Sequence, residues 1–273
     1  MLFNSPDFII FFVFILAILP VIKYRKYQHL FLLIASYFFF YFSSNYLITL
    51  LIFSTILDFQ IGRMIYDTKS ISRKKTLLIL SLVGNLGLLG FFKYVDFSID
   101  QINNLTNLLG FPTDIPFLNL ILPIGISFYT FQTISYTVDI YRGKLKPSKT
   151  FLEFALFVSF FPQLVAGPIV RASEFLPQLR EKIENFQTGH KLRSITIQYS
   201  NLKIGITLMA FGFIKKMFFA DNIAPMANDI FTNPIGSESF TIIIGALAFG
   251  MQIYGDFSGY SDIAIGAALI LGF

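Results

Sequence analysis

The residues of this chain best suited to chemistry fall into three polar clusters, each set in apolar sequence. In the first, Gly125, Tyr129, Gln132, Tyr136, Asp139 and Gly143 recur at spacings of four, three, four, three and four. That rhythm puts them on one face of a helix. Such a stripe either bonds neighbouring helices together or lines a wet path for a substrate. The second cluster is Pro162, Gln163, Gly167, Pro168 and Arg171. Proline and glycine break or weaken helical hydrogen bonding. The amide and guanidinium then suit an anionic or carbonyl-bearing ligand; a structural turn with Arg171 at the lipid headgroups is the plainer alternative.

The third cluster is Tyr254-Gly255-Asp256-Phe257-Ser258-Gly259-Tyr260-Ser261-Asp262. Gly255 and Gly259 form a small-xxx-small pair that lets helices approach closely. Asp256 and Asp262 are six residues apart, so on one helix they point different ways and do not make an acid/base dyad. Each carboxylate has a separate partner available, such as Lys215 or Lys216, with direct work on a substrate as the other possibility.

Other reactive groups are few. The chain has no Cys and two His, which removes disulfides, thiolate metal sites and a Cys nucleophile. His29 ends the basic stretch Lys23–His29 and His190 lies in the hydrophilic stretch Arg171–Ser200, so both are expected at solvent or headgroup level. No phosphate-binding glycine loop, metal-spaced His/Glu cluster or serine elbow occurs. The expectation is therefore no metal site and no bound cofactor.

The elements that must carry these clusters follow from composition. Of 273 residues, 55% are hydrophobic and only 14% charged, with 35 Phe and no Trp. Mean hydropathy is +0.67. A soluble core does not grow fast enough with length to hide that much apolar surface, and disorder, collagen and coiled coil are excluded. A net charge of +5 places basic residues mainly between apolar runs, which suits membrane orientation and not nucleic acid. The expectation is an all-α polytopic membrane protein of about 8–9 membrane helices, one of them re-entrant, in one domain over residues 1–273.

The first apolar run, Phe8–Ile22, precedes the basic cluster Lys23, Arg25 and Lys26. That order is wrong for a cleavable signal peptide and puts the N-terminus on the extracytoplasmic side of a cytoplasmic (inner) membrane. Leu30–Tyr41 and Tyr46–Leu57 flank the break Ser43-Ser44-Asn45 as a hairpin, and a basic loop carrying Arg63, Lys69, Arg73, Lys74 and Lys75 follows. Thr76–Phe92 returns, Asp96–Asn119 is the main outside loop, and Leu120–Tyr141 crosses back. Phe151–Val170 has basic residues on both flanks and broken backbone, so it is expected to re-enter. Ile204–Ala220 crosses again, Asp221–Glu238 is outside, and Phe240–Tyr254 and Ile263–Phe273 are the last two runs. The chain stops at Phe273 inside an apolar stretch, so a truncated chain is expected.

Four stretches carry a resemblance: Pro123–Gly143, Phe160–Arg171, Phe211–Pro225 and Gln252–Gly266. Together, in this order, they resemble the membrane-bound O-acyltransferase family, and most of all its bacterial branch that acetylates exported polysaccharides such as alginate. The branch that modifies teichoic acid is more distant. The resemblance implies many helices around a funnel, with re-entrant pieces near the cytosolic side. It implies acyl transfer, typically of acetyl, from a cytosolic acyl-CoA or acyl carrier protein thioester. The acyl group passes to a hydroxyl on the far face, through an extracytoplasmic acyl-accepting or polysaccharide-modifying partner protein.

The family's catalytic His belongs to a Trp- and Arg-rich motif expected beyond Phe273, and neither His29 nor His190 matches it. No catalytic residue is therefore carried onto this chain, and residues 1–273 alone are expected to be inactive. By the resemblance, Gln132, Asp139, Gln163, Arg171, Asp256, Tyr260 and Asp262 are substrate-path or supporting groups. A transporter or channel, whose broken helices also mark substrate paths, and a non-catalytic membrane scaffold are the competing readings.

Overall fold

A computed structural model describes residues 2–111, 114–123, 125–164, 167–184, 199–232 and 238–273. The helices are α1 (Pro6–Ile18), α2 (Arg25–Ser44), α3 (Ile48–Asp67), α4 (Ile71–Leu108), α5 (Ile126–Tyr141), α6 (Phe151–Ser159), α7 (Phe161–Leu164), α8 (Ala172–Glu184), α9 (Tyr199–Phe213), α10 (Asp221–Thr232) and α11 (Ser239–Ile270). No strand occurs among the described residues. Three apolar helical stretches, Arg25–Asp67, Ile71–Leu108 and Ser239–Ile270, are long enough to cross a membrane. The chain divides into two compact units: Met1–Ser43 with Ser159–Val170 and Pro177–Phe273, and Ser44–Val158 with Arg171–Leu176.

In the first unit, Ser5 caps α1 by accepting from the Phe8 N–H at 3.3 Å, and Pro6 occupies the first turn, where its missing N–H loses no bond. A 3-10 turn, Leu19–Val21, follows. The Leu19 and Ile22 carbonyls would be orphaned at this helix end. The Gln28 amide donates to both, at 3.0 and 3.1 Å. A Phe cluster forms the core: Phe3 lies 4.9 Å from Phe8, Phe11 lies 5.3 Å from Phe161, and Phe39 lies 5.8 Å from Phe161 between ring centroids.

The expected basic loop Lys23–His29 is largely helix. Because α2 begins at Arg25, His29 falls one turn later on the same face, and both side chains are buried. The expectation of a solvated His29 is thus corrected; His190 lies outside the described residues.

The break between Phe151 and Val170 is present. α6 ends at Ser159, α7 restarts at Phe161, and residues 167–170 are non-helical, with residues 165–166 outside the described set. Side chains from Phe154 to Leu164 are buried, the setting in which irregular backbone is tolerated at membrane depth. Two of its described backbone N–H groups have acceptors. The Phe161 N–H donates to Ser36 Oγ at 3.2 Å, and Gly167 N–H donates to the Gln163 carbonyl at 3.1 Å.

α11 corrects another expectation. The runs Phe240–Tyr254 and Ile263–Phe273 belong to one 32-residue helix, and the polar patch between them is helical. Gly255, Gly259, Ala264, Gly266 and Ala267 are buried, while Phe240, Leu247, Met251, Tyr254 and Phe257 are exposed. Small residues inside and large apolar ones outside suit a helix surrounded by lipid. The expected outside loop Asp221–Glu238 is mostly α10.

In the second unit the expected loop from Asp96 is also helical. α4 runs 38 residues without interruption, about 57 Å at 1.5 Å per residue, so it outruns the bilayer core. Only the stretch after Leu108 leaves the helix, and it lies back along it. The Leu118 N–H donates to Asp96 Oδ1 at 2.8 Å, and the Ile115 N–H donates to Asn103 Oδ1 at 3.0 Å. α3 likewise continues to Asp67, so Asp58 and Arg63 are helix residues, and residues 68–70 alone link α3 to α4. At Ser44–Asn45 the chain does break, with Asn45 at φ 50°.

Candidate functional site

The polar groups of the third cluster meet basic residues of a distorted helix. α9 passes directly into a π-helical segment, Ile214–Ala220, that holds Lys215 and Lys216. A π-turn bonds residues five apart, and here the Asp221 N–H donates to the Lys216 carbonyl. The same spacing brings the two side chains together, with Lys216 Nζ donating to Asp221 Oδ1 at 2.5 Å. Lys216 also donates to Asp256 Oδ1 at 2.6 Å. Lys215 donates to Asp262 Oδ2 at 2.6 Å and to Ser258 Oγ at 2.9 Å.

Close helix packing makes these contacts reachable. Gly259 faces Gly212 and the start of the π-segment, and a methyl added at Gly259 would lie 3.0 Å from the Lys216 nitrogen. Asp256 and Asp262 therefore flank the contact line, one on each side, and each takes its own lysine. The expected divergence of the two carboxylates and their pairing with Lys215 and Lys216 are both observed.

Tyr260 completes the group. Lys216 Nζ sits 5.6 Å from its ring centroid, a cation–π distance. Its hydroxyl donates to Asn4 Oδ1 at 3.4 Å, and Phe3 packs 5.9 Å away between ring centroids. Two ammonium groups are thus held among three carboxylates, with Lys216 the less exposed lysine, at 13% against 34% for Lys215. Each of these carboxylates accepts from a lysine, so the arrangement holds its charges in pairs.

Asp221 and Asn4 were not singled out from the sequence. A Lys–Asp pair five apart signals nothing on an α-helix, where those positions diverge, and only the π-segment aligns them.

The other candidates are dispersed. Gln132, on α5, is buried and donates to the Phe157 carbonyl at 2.8 Å. On the same stripe Tyr129 and Tyr136 are buried, and the Tyr136 hydroxyl accepts from the Ser148 N–H at 3.0 Å. The stripe is therefore packed in protein from Tyr129 to Tyr136, while Asp139 is half-exposed. Gln163 is buried in α7 within the first unit. Arg171 is exposed, belongs to the second unit, and its carbonyl accepts from the Glu174 N–H at 3.0 Å at the start of α8. A cavity of about 330 Å³ in the first unit is lined by apolar residues, among them Phe12, Leu202, Ile206, Met209 and Phe213, and offers no polar anchor to a substrate. No group of three or more His, Cys, Asp or Glu placed to hold a metal occurs among the described residues.

Residues 146–273 match the sequence model of the membrane-bound O-acyltransferase family. The whole chain is 36% identical to a probable alginate O-acetylase, AlgI, of Pseudomonas aeruginosa, covering 50% of that protein. It is 35% identical to a peptidoglycan O-acetyltransferase of Helicobacter pylori, with 98% of this chain and 54% of that one aligned. Over 56% of its length it is 27% identical to a teichoic acid D-alanyltransferase of Bacillus subtilis, 36% of which is covered. The chain spans about half the length of the first two of these curated relatives.

Proposed function

The chain belongs to the membrane-bound O-acyltransferase family, and on that premise we propose that it is part of an enzyme that O-acylates a polysaccharide. The observation that carries this reading is similarity along the entire chain to an alginate O-acetylase. The acyl group is acetyl, the donor is a cytosolic acyl-CoA or acyl carrier protein thioester, and no bound cofactor takes part. The protein resides in the cytoplasmic (inner) membrane with its N-terminus outside. It hands the acyl group to an extracytoplasmic partner protein that modifies an exported glycan.

In acyl transfer a base removes the acceptor hydroxyl proton and the alkoxide attacks the thioester carbonyl. Fixed donors stabilise the oxyanion that forms, and its collapse breaks the C–S bond and releases the donor thiol, which takes up the proton held by the base. None of residues 1–273 is assigned as that base. Lys215, Lys216, Asp256, Tyr260 and Asp262 hold α9, the π-segment and α11 in register, and so position the substrate path. Gln132 and Asp139 are supporting groups on α5 within the second unit. Arg171, exposed at the start of α8, binds the acyl donor's anionic groups, and Gln163 is a supporting group of α7.

The test uses full-length protein in sealed vesicles loaded with radiolabelled acetyl thioester. Label on an external partner or glycan, dependent on the thioester, is the expected result. Thioester left intact while solutes cross the vesicle membrane would replace this reading with transport. Neither activity would leave the scaffold.

A further inference from the structure

α3, in the second unit, divides its residues between two faces. Asp58, Ile61, Gly62 and Ile65 are buried. Asp58 accepts from Ser81 Oγ at 2.6 Å and from the Asn85 amide at 2.8 Å, and a methyl on Gly62 would lie 2.7 Å from the Tyr136 ring. That face is committed to α4 and α5. Ile56, Gln60, Arg63 and Met64 fall on the opposite face and are exposed.

These exposed residues, with Phe59 and with Phe151 at the start of α6, line an open groove of about 630 Å³. Its polar end is Arg63. The guanidinium lies 4.8 Å from the Phe59 ring centroid, a cation–π contact, and donates to the Lys149 carbonyl at 3.2 Å. Phe59 is itself held by Phe151, 5.4 Å away between ring centroids. Both contacts fix the guanidinium and neither neutralises it. Among the described residues no carboxylate pairs with Arg63, Asp67 one turn on included. Glu153, in the first turn of α6, is buried and accepts from Ser148 Oγ at 3.1 Å. Arg63 stands one turn before α3 ends at Asp67 and just before the basic residues Lys69, Arg73, Lys74 and Lys75, which sets it at headgroup level. Ile56 lies seven residues deeper, about 10 Å along the helix, where acyl chains begin.

We propose that this groove binds one anionic phospholipid, its phosphate on Arg63 and an acyl chain along Phe59 and Ile56. The planar fork of an arginine offers a phosphate both charge and paired donors. Gln60, one turn deeper than Arg63, can donate its amide to an ester carbonyl of the same lipid. The remaining walls are apolar, which fits an acyl chain and gives a water-soluble phosphate ester little to hold beyond the guanidinium. None of these residues takes part in the proposed acyl transfer.

Photo-crosslinking tests this on full-length protein in phosphatidylcholine vesicles. The vesicles are doped with phosphatidylglycerol or phosphatidylcholine that carries a diazirine in one acyl chain, and adducts are mapped by mass spectrometry. Adducts on Ile56, Phe59 or Phe151 should form about fivefold more with the phosphatidylglycerol probe, the weight of one basic residue at a membrane surface. Arg63→Gln should abolish the difference, and Arg63→Lys, which keeps the charge without the fork, should retain part of it. Equal labelling by the two lipids in the unaltered protein would mean ordinary boundary lipid and overturns the proposal, as does a preference that survives Arg63→Gln. Absence of adducts in the groove, which another segment would then cover, overturns it too. So does loss of the phosphatidylglycerol adducts when coenzyme A is added, which would make the groove a site for a soluble phosphate.

Discussion

Gly212 and Gly259 meet backbone to backbone where α9 packs on α11: a methyl built on Gly212 would lie 2.6 Å from the Gly259 carbonyl oxygen. A methyl on Gly259 would lie 2.8 Å from the Gly212 carbonyl oxygen. Neither neighbour is a flexible side chain that can move aside, so alanine must push the helices apart. Gly259→Ala is expected to destabilise the protein by ~1–3 kcal/mol, read by thermal unfolding in lipid or detergent. Gly90→Ala is the control, because nothing lies within 4 Å of its added methyl. Equal effects at both positions would refute the close-packing account.

Lys216 and Asp256 should be energetically coupled. Removing one partner leaves the other partly desolvated, but Asp256 is 32% exposed, which moderates the penalty. A double-mutant cycle with Lys216→Met and Asp256→Asn should return a coupling of ~1–2 kcal/mol. The Lys215–Asp262 pair, whose lysine is more exposed, should return less. Additive single-mutant effects would show that the pair contributes no coupling.

Ser36 supplies the acceptor for the Phe161 N–H where the chain restarts after its break. Ser36→Ala leaves that buried N–H without this acceptor and should lower stability by ~1–3 kcal/mol. An unchanged melting temperature in the variant would mean that another group satisfies the N–H.

Gln132 and Arg171 should separate structure from substrate binding. Gln132→Leu deletes a buried bond to the Phe157 carbonyl and should reduce stability by ~1 kcal/mol. Arg171 is exposed, so Arg171→Ala should change stability by less than ~0.5 kcal/mol. If Arg171 binds the acyl donor, the same variant should raise KM for the thioester about tenfold, the loss of one charge-assisted hydrogen bond. Unchanged KM would remove Arg171 from the donor site.

Several features were legible in the residues themselves. An apolar excess implied helices in lipid. Pro162, Gly167 and Pro168 implied broken backbone. The spacing of Asp256 and Asp262 implied two separate partners. Each depends on local chain geometry, which repeats wherever the same residue types recur at the same spacing.

Other features depended on where helices end and what they meet. Polar residues between Asp96 and Leu108 look like loop, yet α4 continues through them, and Asp96 and Asn103 accept from the N–H groups of Leu118 and Ile115 in the segment that lies back along the helix. The patch Gly255–Asp262 looks like a joint between two runs. It remains helical because Gly212 and Gly259 bring two lysines close enough to satisfy its carboxylates.

The sequence by itself determined the membrane class and the partners open to the two aspartates, since hydropathy and short-range periodicity are properties of the chain alone. Only the tertiary structure decided that Lys216 serves Asp221 and Asp256 together, and that Asp58 lies among Ser81, Asn85 and Thr137. The first arises from a π-segment whose spacing departs from the helical default. The second arises from three helices that lie far apart in sequence, and no periodicity within one helix encodes which face of another it will meet.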